Sequence, residues 1–182
     1  MFSAYRRRFG TKKAVLLLGA IYLASQIAIA CIIHDMGALE FLKAQTTFSR
    51  TTYVEQVKQW QERDLMGDYE RHFYFDFLHP LWYALFLSAL MAAGMNRHRT
   101  PPRADRLLCL PFIAGAMDLV ENCFHVRFIS DVDTIPSWMI VVSACASNVK
   151  WVLVGTSLVV GVLFVSRRPR ERTEKIREAA QL

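Results

Sequence analysis

The residues best suited to chemistry lie in the third apolar stretch of the chain, where polar side chains recur at helical spacing. Positions i, i+3, i+4 and i+7 of this stretch are occupied by Asp118, Glu121, Asn122 and His125. This spacing places them on one face of a helix. A protonated carboxylic acid beside an ionised carboxylate, in a pocket without water, can donate and remove protons near neutral pH. We therefore interpret Glu121 as a candidate general acid, with Asp118 as the neighbouring charge.

The second apolar stretch carries a matching polar stripe. Asp76, His79 and Tyr83 follow one another at helical spacing, and Pro80 lies beside them. Asp76 is thus a third candidate acid–base residue, and three carboxyls on two helices exceed what interhelical hydrogen bonding requires. The two stripes predict a polar cavity between the helices, with Tyr83 and Asn122 among its ligand-binding residues and the two histidines in support.

The fourth apolar stretch contains a lysine near its middle. At 1.5 Å per helical residue, Asp118 lies roughly 17 Å into its stretch and Lys150 roughly 18 Å into its own from the opposite side. Each charge offsets the other's cost of leaving water, so the two residues are predicted to form a buried ion pair. In that case Asp118→Asn and Lys150→Met each destabilise the protein, and the double variant recovers.

A metal or haem site is an alternative interpretation of the same residues. Asp76-x-x-His79 and Glu121-x-x-x-His125 each place a carboxylate and an imidazole on one helical face, which is a spacing that metal sites use. His79 and His125 could also hold a haem as axial ligands. No tighter motif accompanies these pairs, so the sequence alone names no cofactor.

The elements that must position these residues are four long apolar blocks. The chain is 53% apolar with a mean hydropathy of +0.21. A helix needs about 20 mostly apolar residues to cross the hydrocarbon layer of a bilayer. Blocks of this kind occupy residues 14–33, 73–95, 107–129 and 138–165. We predict an all-α integral membrane four-helix bundle that forms a single membrane domain.

The basic residues indicate how these spans are oriented. The net charge is +6, and the connection at residues 34–72 carries more acidic than basic residues. Clusters of basic residues stand before the first block, between the second and third, and after the fourth. These residues are Arg6, Arg7, Arg8, Lys12 and Lys13; Arg97, Arg99, Arg103 and Arg106; and Arg167, Arg168, Arg170, Arg172, Lys175 and Arg177. Basic residues at alternate connections place both termini in the cytoplasm, with residues 166–182 as a cytoplasmic tail. The charge therefore indicates membrane topology, and no aromatic-basic motif supports binding to nucleic acid.

The connection at residues 34–72 is the one sizeable segment between predicted spans. Ser49 has the chemistry of a helix start, and Tyr53, Val57 and Trp60 follow at helical spacing. We predict one short amphipathic helix there, on the outer membrane surface or over the end of the bundle. Gly67 is expected to end this excursion before the second span.

Several of these motifs occur together in a known group. Gln45-Thr46-Thr47-Phe48, Asp76-Phe77-Leu78-His79-Pro80-Leu81-Trp82-Tyr83, Asp118-Leu119-Val120-Glu121-Asn122 and a mid-helix Lys150 occur in this order. The order resembles that of a group of uncharacterised bacterial four-span membrane proteins with D-F-x-x-P-x-x-Y, D-x-x-E-N and a mid-helix lysine. The resemblance implies the same span count and the same site residues, with Gln45 reaching over the cavity mouth. It implies no activity.

These observations predict a multi-pass protein of the inner (plasma) membrane with a carboxylate, Asn and Lys cavity. The expected occupant is a membrane lipid or another small hydrophobic molecule, with acid–base chemistry as a possibility that leaves enzyme activity open. One alternative is a non-catalytic accessory or assembly subunit, whose polar face meets a membrane-protein partner or a second copy of the chain. The other is a metal- or haem-binding membrane redox protein.

Overall fold

The computed structural model describes residues 2–166, and these residues form helices with no strand among them. The predicted all-α class is confirmed. The predicted tail at residues 166–182 lies outside the described residues apart from Ser166.

Eight α-helices follow one another along the described chain. They are α1 (Phe2–Phe9), α2 (Lys12–Ile32), α3 (Ala38–Thr46), α4 (Arg50–Glu62), α5 (Met66–Asp76), α6 (His79–Arg97), α7 (Leu110–Ile129) and α8 (Ser137–Ser166), with 3-10 turns at His34–Met36 and Pro102–Cys109.

Three of these helical segments are long and apolar enough to cross a membrane: α2, α7 with its preceding turn, and α8. A fourth crossing is present if α5 and α6 together count as one span. These two helices are bent by 46° at the break between them. The second span was predicted as an uninterrupted helix at residues 73–95. The structure instead divides it between the end of α5 and most of α6.

The core consists of α6, α7 and α8, each of which packs against the other two. Gly94 lets α6 approach α8 closely, because a Cβ atom at Gly94 would lie 2.3 Å from Cβ of Phe164. In contrast, α2 packs mainly on α6, with further contact to α5. Thus α2 and α8 flank α6 and scarcely meet each other.

One end of the bundle holds α1, the loop after α6 and the end of α8. We call it the basic end. Arg6 of α1 fastens this end together. Its guanidinium donates to the carbonyl oxygens of Met95 (2.7 Å) and Thr100 (3.0 Å) and to side-chain oxygens of Asn96 and Asp105 (2.8 Å each). The last carbonyls of a helix lack partners within it, and Arg6 supplies donors to the end of α6.

The opposite end, called the cap end, holds α3, α4, α5 and the loop after α7. Ser49 accepts a hydrogen bond from the backbone N–H of Thr52 at 3.2 Å, which confirms the predicted helix start. Tyr53, Val57 and Trp60 are buried. The segment contains more helix than predicted, and Gly67 lies in the first turn of α5 instead of ending the excursion.

One contact fastens α3 to α8. The side-chain amide of Asn148, in the first half of α8, donates to the carbonyl oxygen of Thr46 at 3.2 Å. Thr46 is the last residue of α3, so its carbonyl has no partner within that helix. This bond holds the end of α3 against α8.

Candidate functional site

The stripes on α7 and α8 meet at a buried charge cluster. Nζ of Lys150 lies 2.9 Å from Oδ1 of Asp118 and 2.6 Å from Oε2 of Glu121. The three residues are 5%, 3% and 0% exposed, respectively. The predicted contact between Asp118 and Lys150 is therefore present. Glu121 is a second partner of the same ammonium group, which helical spacing alone does not predict.

The bend between α5 and α6 brings Asp76 to this cluster. In a continuous helix the carbonyl oxygen of Asp76 would accept from the backbone N–H of residue 80, but that residue is proline and has no N–H. The side-chain amide of Asn122 on α7 donates to this carbonyl instead, at 3.2 Å. Asn122 thus supplies the hydrogen bond that Pro80 cannot donate to the Asp76 carbonyl oxygen. Asn122 is an interhelical partner of the broken segment rather than a cavity residue.

A double-mutant cycle tests this contact. Asn122→Ala leaves a buried carbonyl without a donor and is expected to cost about 1–3 kcal/mol of stability. Pro80→Ala restores a backbone N–H to the same carbonyl, so Asn122→Ala should cost less in that background. Thermal unfolding of the four proteins in mild detergent measures the difference. Equal costs in both backgrounds would contradict the pairing.

The cap end contacts the cluster through His125. Nδ1 of His125 lies 2.6 Å from the Tyr69 hydroxyl and 3.3 Å from that of Tyr53, and Nε2 lies 4.0 Å from Oε1 of Glu121. Burial raises the pKa of the Tyr53 phenol well above its ordinary value, so this group stays protonated. Helical spacing places Tyr53 on the buried face of its helix, but it does not predict the contacts that Tyr53 and Tyr69 make with His125. A hydroxyl at helical spacing among apolar residues looks like part of an ordinary core.

The second histidine has different surroundings. Nδ1 of His79 lies 3.0 Å from the hydroxyl of Ser25 on α2, and its ring packs near Tyr22 and Tyr83. Each histidine is therefore held by its own neighbours. Among residues 2–166, no group of three His, Cys, Asp or Glu side chains is arranged to hold a metal ion. The metal interpretation of His79 and His125 has no support from the geometry of the described residues.

A cavity of about 310 Å³ opens beside the charge cluster. Its polar lining comes from Gln26, Gln45, Asp76, His79, Tyr83, Asp118 and Lys150. Gln45 is thus at the cavity, as the resemblance implied. Glu121, Asn122 and His125 are not among the lining residues. The candidate general acid Glu121 therefore lies behind the wall, and it can influence an occupant only through Lys150.

The rest of the wall is apolar and comes from four helices and the turn after α2. A stripe of α2 faces the cavity with Tyr22 and Ile29, followed by Ile33 in the next turn. One face of α3 contributes Ala38, Phe41 and Leu42, α6 contributes Phe86 and Leu87, and α8 contributes Trp151, Val154 and Leu158. Because α2 and α8 scarcely touch, the cavity lies in the gap between them, with α3 across its cap end. The cavity combines one polar side with a long apolar side.

Comparison with protein-family models, with curated proteins and with solved structures finds no match. What the site can do therefore follows from its own residues. The site consists of three buried carboxyls and one lysine that two of them share. Two of the carboxyls and the lysine line the largely apolar cavity.

Proposed function

We propose that this protein is a multi-pass protein of the inner (plasma) membrane whose cavity binds a lipid-like or small hydrophobic molecule. In this proposal α2, the bent α5–α6 pair, α7 and α8 form a four-helix membrane bundle with both termini in the cytoplasm. The apolar length of these segments supports the span count.

The distribution of charge supports the proposed orientation. Arg7, Arg8, Lys12, Lys13, Arg97, Arg103 and Arg106 are exposed at the basic end. The acidic Asp105 at this end is buried against Arg6. Cytoplasmic connections carry an excess of Lys and Arg, so the basic end faces the cytoplasm and the cap end lies on the outer side.

The observation that carries the binding proposal is the cavity itself. Small-molecule sites are concave, mostly apolar and provided with a few polar groups, and their volumes start near 300 Å³. Here the apolar wall lies between α2 and α8, whose outward faces are rich in exposed Leu, Ile and Val side chains such as Leu23, Ile27 and Val152. In a bilayer such faces contact acyl chains, so a hydrophobic molecule can enter sideways from the membrane without crossing water.

The lining carboxyls define what chemistry could accompany binding. Asp76 and Asp118 line the cavity, so these two can exchange a proton with a bound molecule. Lys150 holds Asp118 in place, and Glu121 fixes the position of Lys150 from behind. Acid–base chemistry in this site thus involves Asp76 and Asp118 directly, with Glu121 as a positioning residue.

Native mass spectrometry of protein purified in mild detergent, together with an absorption spectrum, tests the binding proposal. We expect a retained organic mass on the wild-type protein. Ala38→Phe places a ring in the cavity and should remove this mass. Leu39→Phe is a matched control, because the neighbouring Leu39 is 83% exposed and faces away.

Three other outcomes would contradict the proposal. A retained mass that survives Ala38→Phe would place the molecule elsewhere. A colourless protein without any adduct would favour an accessory subunit that meets a membrane-protein partner or a second copy of the chain. A Soret band or a metal-sized adduct would favour the histidine interpretation.

A further inference from the structure

The buried carboxyl groups of the site outnumber its ammonium group. Three carboxyls, those of Asp76, Asp118 and Glu121, surround one ammonium group, that of Lys150. This ammonium contacts both Asp118 and Glu121 within 2.9 Å. Asp76 has no ion-pair partner within 4 Å among the described residues. Among the described residues the site thus supplies one cation for three carboxyls, and two of those carboxyls already contact it.

Asp76 is also the carboxyl placed to meet a ligand. Its side chain lines the cavity, and the residue is only 8% exposed. A carboxylate held away from water without a cation is costly, and such groups are usually paired or hydrogen-bonded. Asp76 is thus more than nine-tenths buried, faces the cavity, and makes no ion pair within 4 Å among residues 2–166.

Aromatic rings provide a second, independent feature of the same cavity. Tyr22, Phe41, Tyr83, Phe86 and Trp151 all line it. Tyr22 and Phe86 stack with their ring centroids 5.4 Å apart. The face of an aromatic ring is negative and attracts cations, and aromatic rings are the groups that recognise quaternary ammonium ligands.

From these features we propose that the cavity takes an amphiphilic organic cation, with its ammonium group beside Asp76 and its apolar body between α2 and α8. This inference rests on the proposed binding function and names the class of the ligand. An anionic amphiphile is disfavoured, because Lys150 is already shared by two carboxyls. A neutral molecule would fill the apolar wall and leave Asp76 without a partner.

Three probes with the same chain separate these ligand classes: octyltrimethylammonium, octanol and octanoate. Their binding is measured by titration calorimetry on the full chain in nanodiscs of zwitterionic lipid. Affinities are expressed per mole fraction of probe in the bilayer, so that partitioning does not enter the comparison. We expect the cation to bind at least about tenfold more tightly than either of the other probes, since a desolvated cation gains from both the rings and the carboxylate.

Two variants locate the preference. Asp76→Asn should lower the affinity for the cation by about tenfold or more and leave that for octanol unchanged. Asp133→Asn is the control, because this carboxylate is exposed and pairs with Lys58 at the cap end. Tyr22→Leu keeps Asp76 but removes one ring, and it should lower the affinity for the cation several-fold. This variant tests the proposal even if Asp76→Asn fails to fold.

The outcomes distinguish this inference from the function on which it rests. Equal binding of octanol and the cation, or tighter binding of octanoate, would overturn the cation proposal and leave the hydrophobic cavity intact. Binding of none of the three probes would overturn both. A cation preference that survives Asp76→Asn and Tyr22→Leu would also overturn the assignment to this cavity.

Discussion

Replacing Lys150 with methionine is expected to destabilise the protein by about 3–5 kcal/mol, because the change leaves two carboxyls buried without their cation. Lys150 contacts both Asp118 and Glu121, and all three residues are at most 5% exposed. Unfolding by SDS titration of the purified protein in mild detergent measures the loss. An unchanged midpoint would contradict the charge cluster.

The rescue experiment separates the two carboxyl partners. The sequence alone predicts that Asp118→Asn restores the stability of Lys150→Met. The structure predicts only partial recovery, since the buried carboxyl of Glu121 still lacks the ammonium group that it contacts in the wild-type protein. The triple variant with Glu121→Gln should recover most of the loss. Full recovery with Asp118→Asn alone would exclude Glu121 as an energetically important partner.

The second large effect is expected at the basic end. Arg6→Ala removes hydrogen bonds to the carbonyl oxygens of Met95 and Thr100 and leaves the buried Asp105 unpaired. Breaking a buried ion pair from one side costs about 3–5 kcal/mol. Thermal unfolding in detergent should show the loss as a lower midpoint for the whole bundle, because Arg6 joins α1 to the end of α6.

Arg7→Ala provides the matched control. Arg7 is the next residue on the same helix, but it is exposed. Surface substitutions of this kind change stability by about 0.5 kcal/mol or less. Similar losses for both variants would show that the total positive charge of α1, and not the contacts of Arg6, determines stability. Recovery of Arg6→Ala by Asp105→Asn would further identify the ion pair as the source.

Several features of the molecule follow from the sequence by simple periodicity. Block length indicates the apolar helices, and helical spacing places Asp118, Glu121 and Lys150 on buried faces. The depth of each residue along its helix follows from a rise of 1.5 Å per residue. The similar depths of Asp118 and Lys150 predict that the two side chains meet. Periodicity therefore predicts which face a residue occupies and how deep it lies.

Periodicity does not say which neighbour a face meets. Both Asp118 and Glu121 are on the predicted face, but only the packing of α7 on α8 shows that one ammonium serves them both. In the same way, Pro80 leaves the carbonyl oxygen of Asp76 without its backbone hydrogen bond. This is a property of the backbone, and a pattern of side-chain types does not reveal it. Asn122 was therefore correctly chosen as a buried polar residue but given the wrong neighbours.

The segment at residues 34–72 shows a different limit. One side of α3 carries the exposed Leu39, and another side faces the cavity with Phe41 and Gln45. This helix has only nine residues, fewer than the window of about 11 over which helical periodicity can be judged. Only the resemblance pointed to Gln45, and the contact between Asn148 and Thr46 explains why α3 lies at the cavity.

The position of α2 at the edge of the bundle puts one wall of the cavity on a single helix. This helix packs mainly on α6, and within it Gly19 and Ile29 are the buried residues. The side chains of α2 that face the cavity, including Tyr22 and Gln26, form one stripe along it. Substitutions along this stripe reshape one wall of the cavity without replacing a residue of the charge cluster. Under the proposed binding function, changes confined to α2 would therefore alter which molecules the cavity accepts, while Asp76, Asp118, Glu121 and Lys150 keep their places.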